Sequence, residues 1–549
     1  MHRKSITNAL MIVLMIILLI GVFTPASAQA PTTIDLQILA LNDFHGQLDP
    51  YSATRGGAEY LATLVKQKRA ETEHTLFVSA GDMIGASPLL SALFHDEPTI
   101  NAFNLMGLDY AIPGNHEFDE GVAELKRMQE GGCNLVDGCL AGDFFGSEFK
   151  WLAGNVIRMQ NGKTLFSAYK VRTIADVRVG IVGIAADFTP SIVTPAGTEG
   201  VEFLNEEEAI NSIAAELKAD GVKTIVVIIH DGGLQAYGAW INSCTDFSGD
   251  LTDIVWNADP EIDLFISGHT HNAYNCVIDD RVVTAAGNGG QFLTDIDLVL
   301  DRETGNIVSK TVNNLEVRKD QLTKDPDMTA LLSPYRILAA PLTNRVIGSI
   351  TADIIRGGNL AESPLGDVIA DAQLAATSAP DKGGAVVAFM NPGGIRANFV
   401  YNQISGGEQP GEITYGEAFT VQPFYNIMMT TTMTGTDIKA VLEQQAIAGS
   451  DKKGRILQIS NGFTYTYTLS APVGSKVSNI QINGVDLDMF ASYRVSMNNF
   501  LAGGGDGFTV FKNGTDPLVG VTDIDALVAH FQAYSPVAPG PANRITFLP

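Results

Sequence analysis

Charge is scarce and one-sided. Only 17% of the 549 residues are charged, and 35 Lys plus Arg face 61 Asp plus Glu, for a formal net charge of −26. With a pI near 4.6, this shortage of cations argues against nucleic acid or an anionic membrane surface as the main partner, since both repel such a chain. A small phosphorylated substrate stays open, because its repulsion is screened beyond about 8 Å at physiological salt and bound metal reverses it locally. Repeats of fixed period and low-complexity blocks are missing, as the 55 Gly and 23 Pro are spread along the chain, which excludes collagen-like and low-complexity readings. At 45% hydrophobic residues, the composition is the reverse of a disordered chain.

Long apolar runs are confined to the start. Arg3 and Lys4 precede an uncharged apolar run of 15 residues, Ala9 to Phe23, and Ala26-Ser27-Ala28 offers a small-x-small cleavage site. This is the pattern of a secretory signal peptide over residues 1–28. The competing reading, a membrane anchor, needs about 20 apolar residues. No Cys follows the run to take a lipid, and Arg544 to Pro549 forms no hydrophobic tail. The expectation is an exported soluble protein, periplasmic or extracellular, with no membrane partner once the leader is removed. Its four cysteines show no CxxC spacing, which disfavours a Cys metal site. In an exported chain they suggest disulfides with three possible connectivities. The short turn between Cys133 and Cys139 favours Cys133–Cys139 with Cys244–Cys276.

Some 520 residues exceed one hydrophobic core, so two domains are expected. Residues 33–318 read as short Val/Ile/Leu runs, each ending in a polar, Gly-rich loop: Leu36–Leu41, Thr75–Ser79, Val177–Ile184, Thr224–Ile229 and Ile262–Ser267. Such runs suit strands buried on both faces. Helical patterns at Ala58–Ala70, Pro98–Leu105 and Glu206–Ala219 lie between them, which indicates an α/β layered domain with ligands at the carboxyl ends of its strands. Residues 319–344, with a helix from Met328 to Leu338, read as a connector. Residues 345–549 read as a second, smaller α+β or α/β domain, with a helix Glu362–Thr377 and strands at Ala385–Met390 and Gly462–Leu469.

Five histidines fall in loops that follow strand-like runs: His45, His116, His230, His269 and His271. Any one alone is more simply a core or surface residue. Five at one structural place, each with Asp or Asn nearby, point to metal. Asp43 and His45 are two apart, which on an extended segment sends both side chains to one face, and His269 with His271 repeats the spacing. Asp82 follows Gly81, which clears space, and Asn115 follows the Pro113-Gly114 turn. Asp43, His45, Asp82, Asn115, His230, His269 and His271 are too many donors for one tetrahedral ion but suit two ions sharing a carboxylate. Such a pair lowers the pKa of a shared water from about 15.7 towards 7 and neutralises phosphoryl oxygens. Asp119, three residues after His116, can fix its tautomer or cap the helix that starts near Glu120.

On these blocks (Asn42-Asp43-Phe44-His45-Gly46, Gly81-Asp82, Gly114-Asn115-His116-Glu117-Phe118-Asp119, His230 and Gly268-His269-Thr270-His271) the sequence resembles the secreted 5′-nucleotidase family. That family joins a calcineurin-like metallophosphoesterase domain, a β-sandwich flanked by helices, to a 5′-nucleotidase C-terminal domain. The resemblance covers essentially all of the chain after the leader. It implies one ion, Zn²⁺ or Mn²⁺, on Asp43, His45, Asp82 and His271, and a second on Asp82, Asn115, His230 and His269. His116 and Asp119 match the family's catalytic pair. In the second domain it implies that Phe424 and Phe500 sandwich a nucleobase, Asp506 receives ribose hydroxyls, and Asn391 and Arg396 meet the base and the phosphate. Arg356 is the nearest candidate for a further phosphate-facing Arg. A site split between domains implies closure about the connector. The implied reaction is hydroxide attack on phosphorus in nucleoside 5′-monophosphates by a monomer or weak dimer. 2′,3′-Cyclic nucleotide phosphodiesterase, 3′-nucleotidase or UDP-sugar hydrolase activity uses the same site. A non-catalytic secreted binding protein predicts lost metal donors, and none is missing. A sulfur-oxidising relative has no need of the paired aromatics and Asn391.

Overall fold

The computed structural model describes residues 32–236, 238–449 and 454–549; the expected leader lies outside them. Two six-stranded sheets pack face to face. The first runs in the order Ile307–Glu316, Phe292–Asp301, Thr33–Leu41, Thr75–Ser79, Tyr110–Ala111, Lys150–Trp151. The second runs Ala273–Ile278, Arg281–Ala286, Ile262–Ile266, Thr224–Ile229, Val177–Ile184, Tyr169–Ile174. Neighbours around Thr33–Leu41, Thr75–Ser79 and Tyr110–Ala111 are parallel, as are Val177–Ile184, Thr224–Ile229 and Ile262–Ile266.

The alternation of side chains across a strand sorts the apolar residues into layers. Leu36, Ile38 and Ala40 meet Ile181, Val226 and Ile228 between the sheets. Their strand neighbours Leu39 and Leu41 face the helices Ala58–Arg69 and Glu97–Met106. On the far side, Ile225, Val227 and Ile229 pack against Glu206–Ala219 and Leu251–Asn257. Each fully buried Ile or Leu contributes about 1.5–3 kcal/mol, so strands apolar on both faces hold together the four layers helix, sheet, sheet, helix. The antiparallel hairpin Phe292–Asp301 and Ile307–Glu316 that flanks Thr33–Leu41 is an addition that the run-by-run reading of the sequence lacks.

The helix after the first domain is longer than its apolar pattern suggests. It spans Pro326–Thr343, capped by Asp325, which accepts the Met328 N–H. It lies on the first domain, with Met328, Leu332, Tyr335 and Ala339 in that core and Lys66 2.6 Å from Asp325. The second domain has a five-stranded sheet ordered Gln458–Ile459, Val387–Met390, Ser492–Asn498, Ile427–Thr434, Thr515–Thr522, and a four-stranded sheet closed by Ile545–Leu548. Helix Pro364–Thr377, with Pro364 in its first turn and Ser363 as cap, packs against helix Asp523–Tyr534 in the second core. Leu89 of the first domain is buried in that same cluster beside Ile347 and Phe419. Both expected disulfides are present, Cys133–Cys139 and Cys244–Cys276. Among the described residues, no helix is long and apolar enough to cross a membrane.

Candidate metal centre

Where Thr33–Leu41 and Thr75–Ser79 end, their loops stay in register. Asp43 N–H donates to Gly81 O, His45 N–H to Asp82 O and Gly46 N–H to Met83 O, each at 2.9 Å. The segment is not extended, contrary to the expectation from the two-residue spacing. Asp43 and His45 both take φ near 48°, and Asp82, His269 and His271 take φ of 50°, 69° and 57°. Left-handed backbone is uncommon outside Gly and best tolerated by Asn, Asp and His, and it costs of order 1–3 kcal/mol per residue when held by surrounding structure. These kinks turn five side chains inward at the strand tips.

Donor atoms then converge in three overlapping groups, Asp43 with His45 and His271, His45 with Asp82 and His116, and Asp82 with His230 and His269. His271 Nε2 lies 3.0 Å from His45 Nε2 and 3.5 Å from Asp43 Oδ1. His230 Nε2 lies 3.2 Å from Asp82 Oδ2, which is 3.8 Å from His45 Nε2, so Asp82 stands between the groups. Asn115 Oδ1 is 3.3 Å from His230 Nε2 and 3.1 Å from His269 Nδ1. Adjacent donors on a tetrahedral ion with bonds of ~2.1 Å sit about 3.4 Å apart, so the nitrogen and oxygen set and its spacing fit divalent metal. Gly81 and Gly114 leave the necessary room: a Cβ on either would come within 2.5–2.6 Å of the His230 ring.

Supporting bonds aim the donors. His45 Nδ1 donates to Gly85 O at 3.0 Å and His230 Nδ1 to Ala80 O at 2.7 Å, turning both Nε2 atoms inward. Asn42 Nδ2 donates to Asp43 Oδ2 at 2.6 Å, and Asn42 Oδ1 accepts the Ala286 N–H. Glu117, to which no role was given from sequence, ties two loops together: its carboxylate accepts N–H bonds from Asp82 at 2.9 Å, Met83 at 2.8 Å and Gly114 at 2.6 Å. Its place inside the Asn115–Asp119 block was the available signal.

Burial pushes His45 and His269 down to about 3 and holds His271 well below its ordinary value, so these rings present lone pairs. Burial also pushes Asp43 up to about 7. It acts to lower His230 too, but the Asp82 carboxylate outweighs it and raises that ring to about 10. Cations entering the site must displace such protons.

His116 faces the same space. Its Nδ1 is 2.7 Å from Asp119 Oδ2; burial lowers its pKa, but Asp119 and Asp82 outweigh that and raise it. The helix-cap alternative for Asp119 fails, because the next helix is Val122–Glu130, preceded by Gly121 with no side-chain cap. From the second domain Phe424 stacks on His116 with centroids 5.6 Å apart and 21° between planes, and the Arg396 guanidinium lies 5.8 Å from the Phe424 ring. Arg356 Nη1 donates to Ile395 O at 2.6 Å and Arg396 O at 3.1 Å, bracing the loop that carries Arg396. Asn391 Nδ2 donates to Asp506 Oδ2 at 3.2 Å, and Phe500 packs over Gly505, where a Cβ would come within 2.4 Å of its ring. Twelve of the fifteen residues singled out from sequence line one cavity of about 1150 Å³ between the domains. The other three, Asp43, His45 and His230, lie beneath its floor against Asp82 and Asn115.

Residues 36–273 match the model of the calcineurin-like phosphoesterases, and residues 346–513 match that of the 5′-nucleotidase C-terminal domain. A cell wall protein of Listeria monocytogenes is 34% identical over 93% of this chain and 68% of its own length. An endonuclease of Bacillus subtilis is 30% identical over 93% of this chain, which spans 41% of that protein. Among solved structures, a 5′-nucleotidase precursor from Thermus thermophilus superposes with a TM-score of 0.78 at 27% identity, over 94% of this chain and 99% of that one.

Proposed function

Because the chain belongs to the 5′-nucleotidase family and is a metal-dependent phosphoester hydrolase, we propose that it is exported and releases phosphate from nucleoside 5′-monophosphates. The observation that carries this reading is the convergence, on one cavity, of the His/Asp/Asn cluster, the His116–Asp119 pair and the Phe424, Phe500 and Asp506 wall of the second domain. Asp43, His45, Asp82 and His271 would hold one divalent ion, and Asp82, Asn115, His230 and His269 the other, Zn²⁺ or Mn²⁺. Bound there, the pair supplies a water activated near neutral pH and neutralises phosphoryl charge.

The chain's own groups do the rest. Arg396, steadied by Arg356, faces the phosphate. His116, held at Nδ1 by Asp119, offers its Nε2 proton to the leaving 5′ oxygen. Phe424 and Phe500 stack on the nucleobase, worth roughly 1–3 kcal/mol per base and tolerant of its identity, while Asp506 receives the ribose hydroxyls. Helix Pro326–Thr343 packs on the first domain, so closure pivots about the residues that follow it. The two disulfides suit an oxidising compartment.

Phosphate release from AMP, ATP, UDP-glucose, 2′,3′-cyclic AMP, p-nitrophenyl phosphate and a single-stranded oligonucleotide, with and without chelator, tests the reading. AMP is expected to be turned over well above p-nitrophenyl phosphate, and chelator to abolish both. Turnover indifferent to chelator rejects the metal centre, equal rates on AMP and p-nitrophenyl phosphate reject the base clamp, and preference for the oligonucleotide replaces the substrate class.

A further inference from the structure

A second cavity, of about 350 Å³, shares no lining residue with the first and breaks the charge pattern of the molecule. In a chain of net charge −26, it is lined by Lys150, Arg158, Lys163 and Lys170 and by no acidic residue. None of the four makes an ion pair among the described residues. The fold gathers them from separate places. Lys150 lies on Lys150–Trp151, the last strand of the first sheet, and Lys170 on Tyr169–Ile174, the last strand of the second. Arg158 and Lys163 face each other across a tight turn, with Arg158 N–H donating to Lys163 O at 2.8 Å and Gly162 N–H to Arg158 O at 2.9 Å.

Lysines on edge strands also guard against unwanted strand pairing, and that role alone would account for Lys150 and Lys170. It does not account for Arg158 and Lys163, which meet across a turn. Trp151 lines this cavity at 1% exposure, and its indole N–H has no acceptor. The Arg158 Nε–H is likewise buried without an acceptor. An indole and a guanidinium are donors only, and each buried unmet donor costs about 1–3 kcal/mol. Four cations without ion-pair partners around one cavity, with no carboxylate among its lining residues, call for a ligand that carries more than one negative charge.

We propose that this cavity is a second anion site, separate from the metal centre, that takes a doubly charged oxyanion of the phosphate class through Arg158, Lys163, Lys150 and Lys170, close to the buried Trp151 ring. Guanidinium and ammonium donors suit phosphate oxygens through charge-assisted bonds.

The chain has three Trp, so ¹⁵N-labelled holoenzyme gives three indole signals, and Trp151→Phe identifies the buried one. Sodium phosphate is titrated at constant ionic strength against sodium chloride. The Trp151 signal is expected to shift saturably with phosphate and not with chloride. In Arg158→Gln/Lys163→Gln the midpoint should rise at least about tenfold, equivalent to ~1.4 kcal/mol, with AMP hydrolysis unchanged as proof of folding. If that pair misfolds, Lys170→Gln provides a milder test and should still raise the midpoint. No shift, an equal shift with chloride, or an unaltered midpoint in the folded variants overturns the proposal; the last result would trace the response to phosphate in the metal centre.

Discussion

Glu117→Gln isolates the clamp beneath the metal centre. The carboxylate is 3% exposed; Oε2 accepts from Asp82 at 2.9 Å and Gly114 at 2.6 Å, and Oε1 from Met83 at 2.8 Å. A glutamine keeps the shape but has one acceptor. Its better orientation leaves the oxygen with Asp82 and Gly114 and turns the NH₂ against the Met83 N–H, so two buried donors face each other. At about 1–3 kcal/mol for each unmet group, the variant should lose about 2–6 kcal/mol, a large share of the ~5–15 kcal/mol of an ordinary domain. Because the clamped loops carry Asp82 and Asn115, metal affinity should fall by about 10–100-fold, as for other outer-shell substitutions. Denaturant unfolding measures the first quantity and metal titration of chelated protein the second. A variant as stable as wild type that also binds metal as tightly would refute the assignment of Glu117 as the strut between these loops.

Other outcomes follow from the same geometry. His116→Ala should retain metal while kcat falls by about 10²–10⁴-fold, whereas Asp82→Ala should lose metal, both read by metal analysis beside steady-state kinetics. Phe424→Ala should weaken AMP by the ~1–3 kcal/mol of one stacking contact and leave KM for p-nitrophenyl phosphate unchanged. Joining residues 32 apart, Cys244–Cys276 should contribute about 3–4 kcal/mol by loop closure, so replacing both cysteines by Ser should lower the unfolding free energy by that amount, read from denaturant unfolding. His95 lies 2.8 Å from Glu120 and 3.0 Å from Asp137, and the Glu120 hydrogen bond leads in raising it to about 9. Its stabilisation is complete below the unfolded value of 6.5 and vanishes as pH rises through 9. With both partners half-exposed, it amounts to about 1 kcal/mol, measurable as the difference between wild type and His95→Gln across that window.

Much of the site was legible because its chemistry is written locally. A strand apolar on both faces must end in a polar loop, and residues such as His230 after Thr224–Ile229 or Asp82 after Thr75–Ser79 could then be placed at strand tips before any coordinates. What stayed hidden depends on partners distant in sequence. The left-handed turns at Asp43 and His45 are held by the Gly81–Met83 backbone, which no spacing rule contains. Glu117 reads as an ordinary acid until Asp82 and Gly114 are folded onto it. Asp119 looks like a helix cap because a helix does follow, but Gly121 begins it. The second cavity was obscured by averaging, since four cations vanish in a composition rich in Asp and Glu.

The kinked backbone at the strand tips also narrows the routes by which this centre can change. At Asp43, His45, Asp82, His269 and His271 the conformation favours a small group of residues, and most of that group happens to coordinate cations. Interchange among Asp, Asn and His keeps the main chain at ease and alters only hardness and charge, whereas Val, Ile or Thr would be punished twice, for losing the donor and for the bend. Mutational drift at these positions is therefore steered towards retuning which ion is preferred, and away from silent erosion of the site.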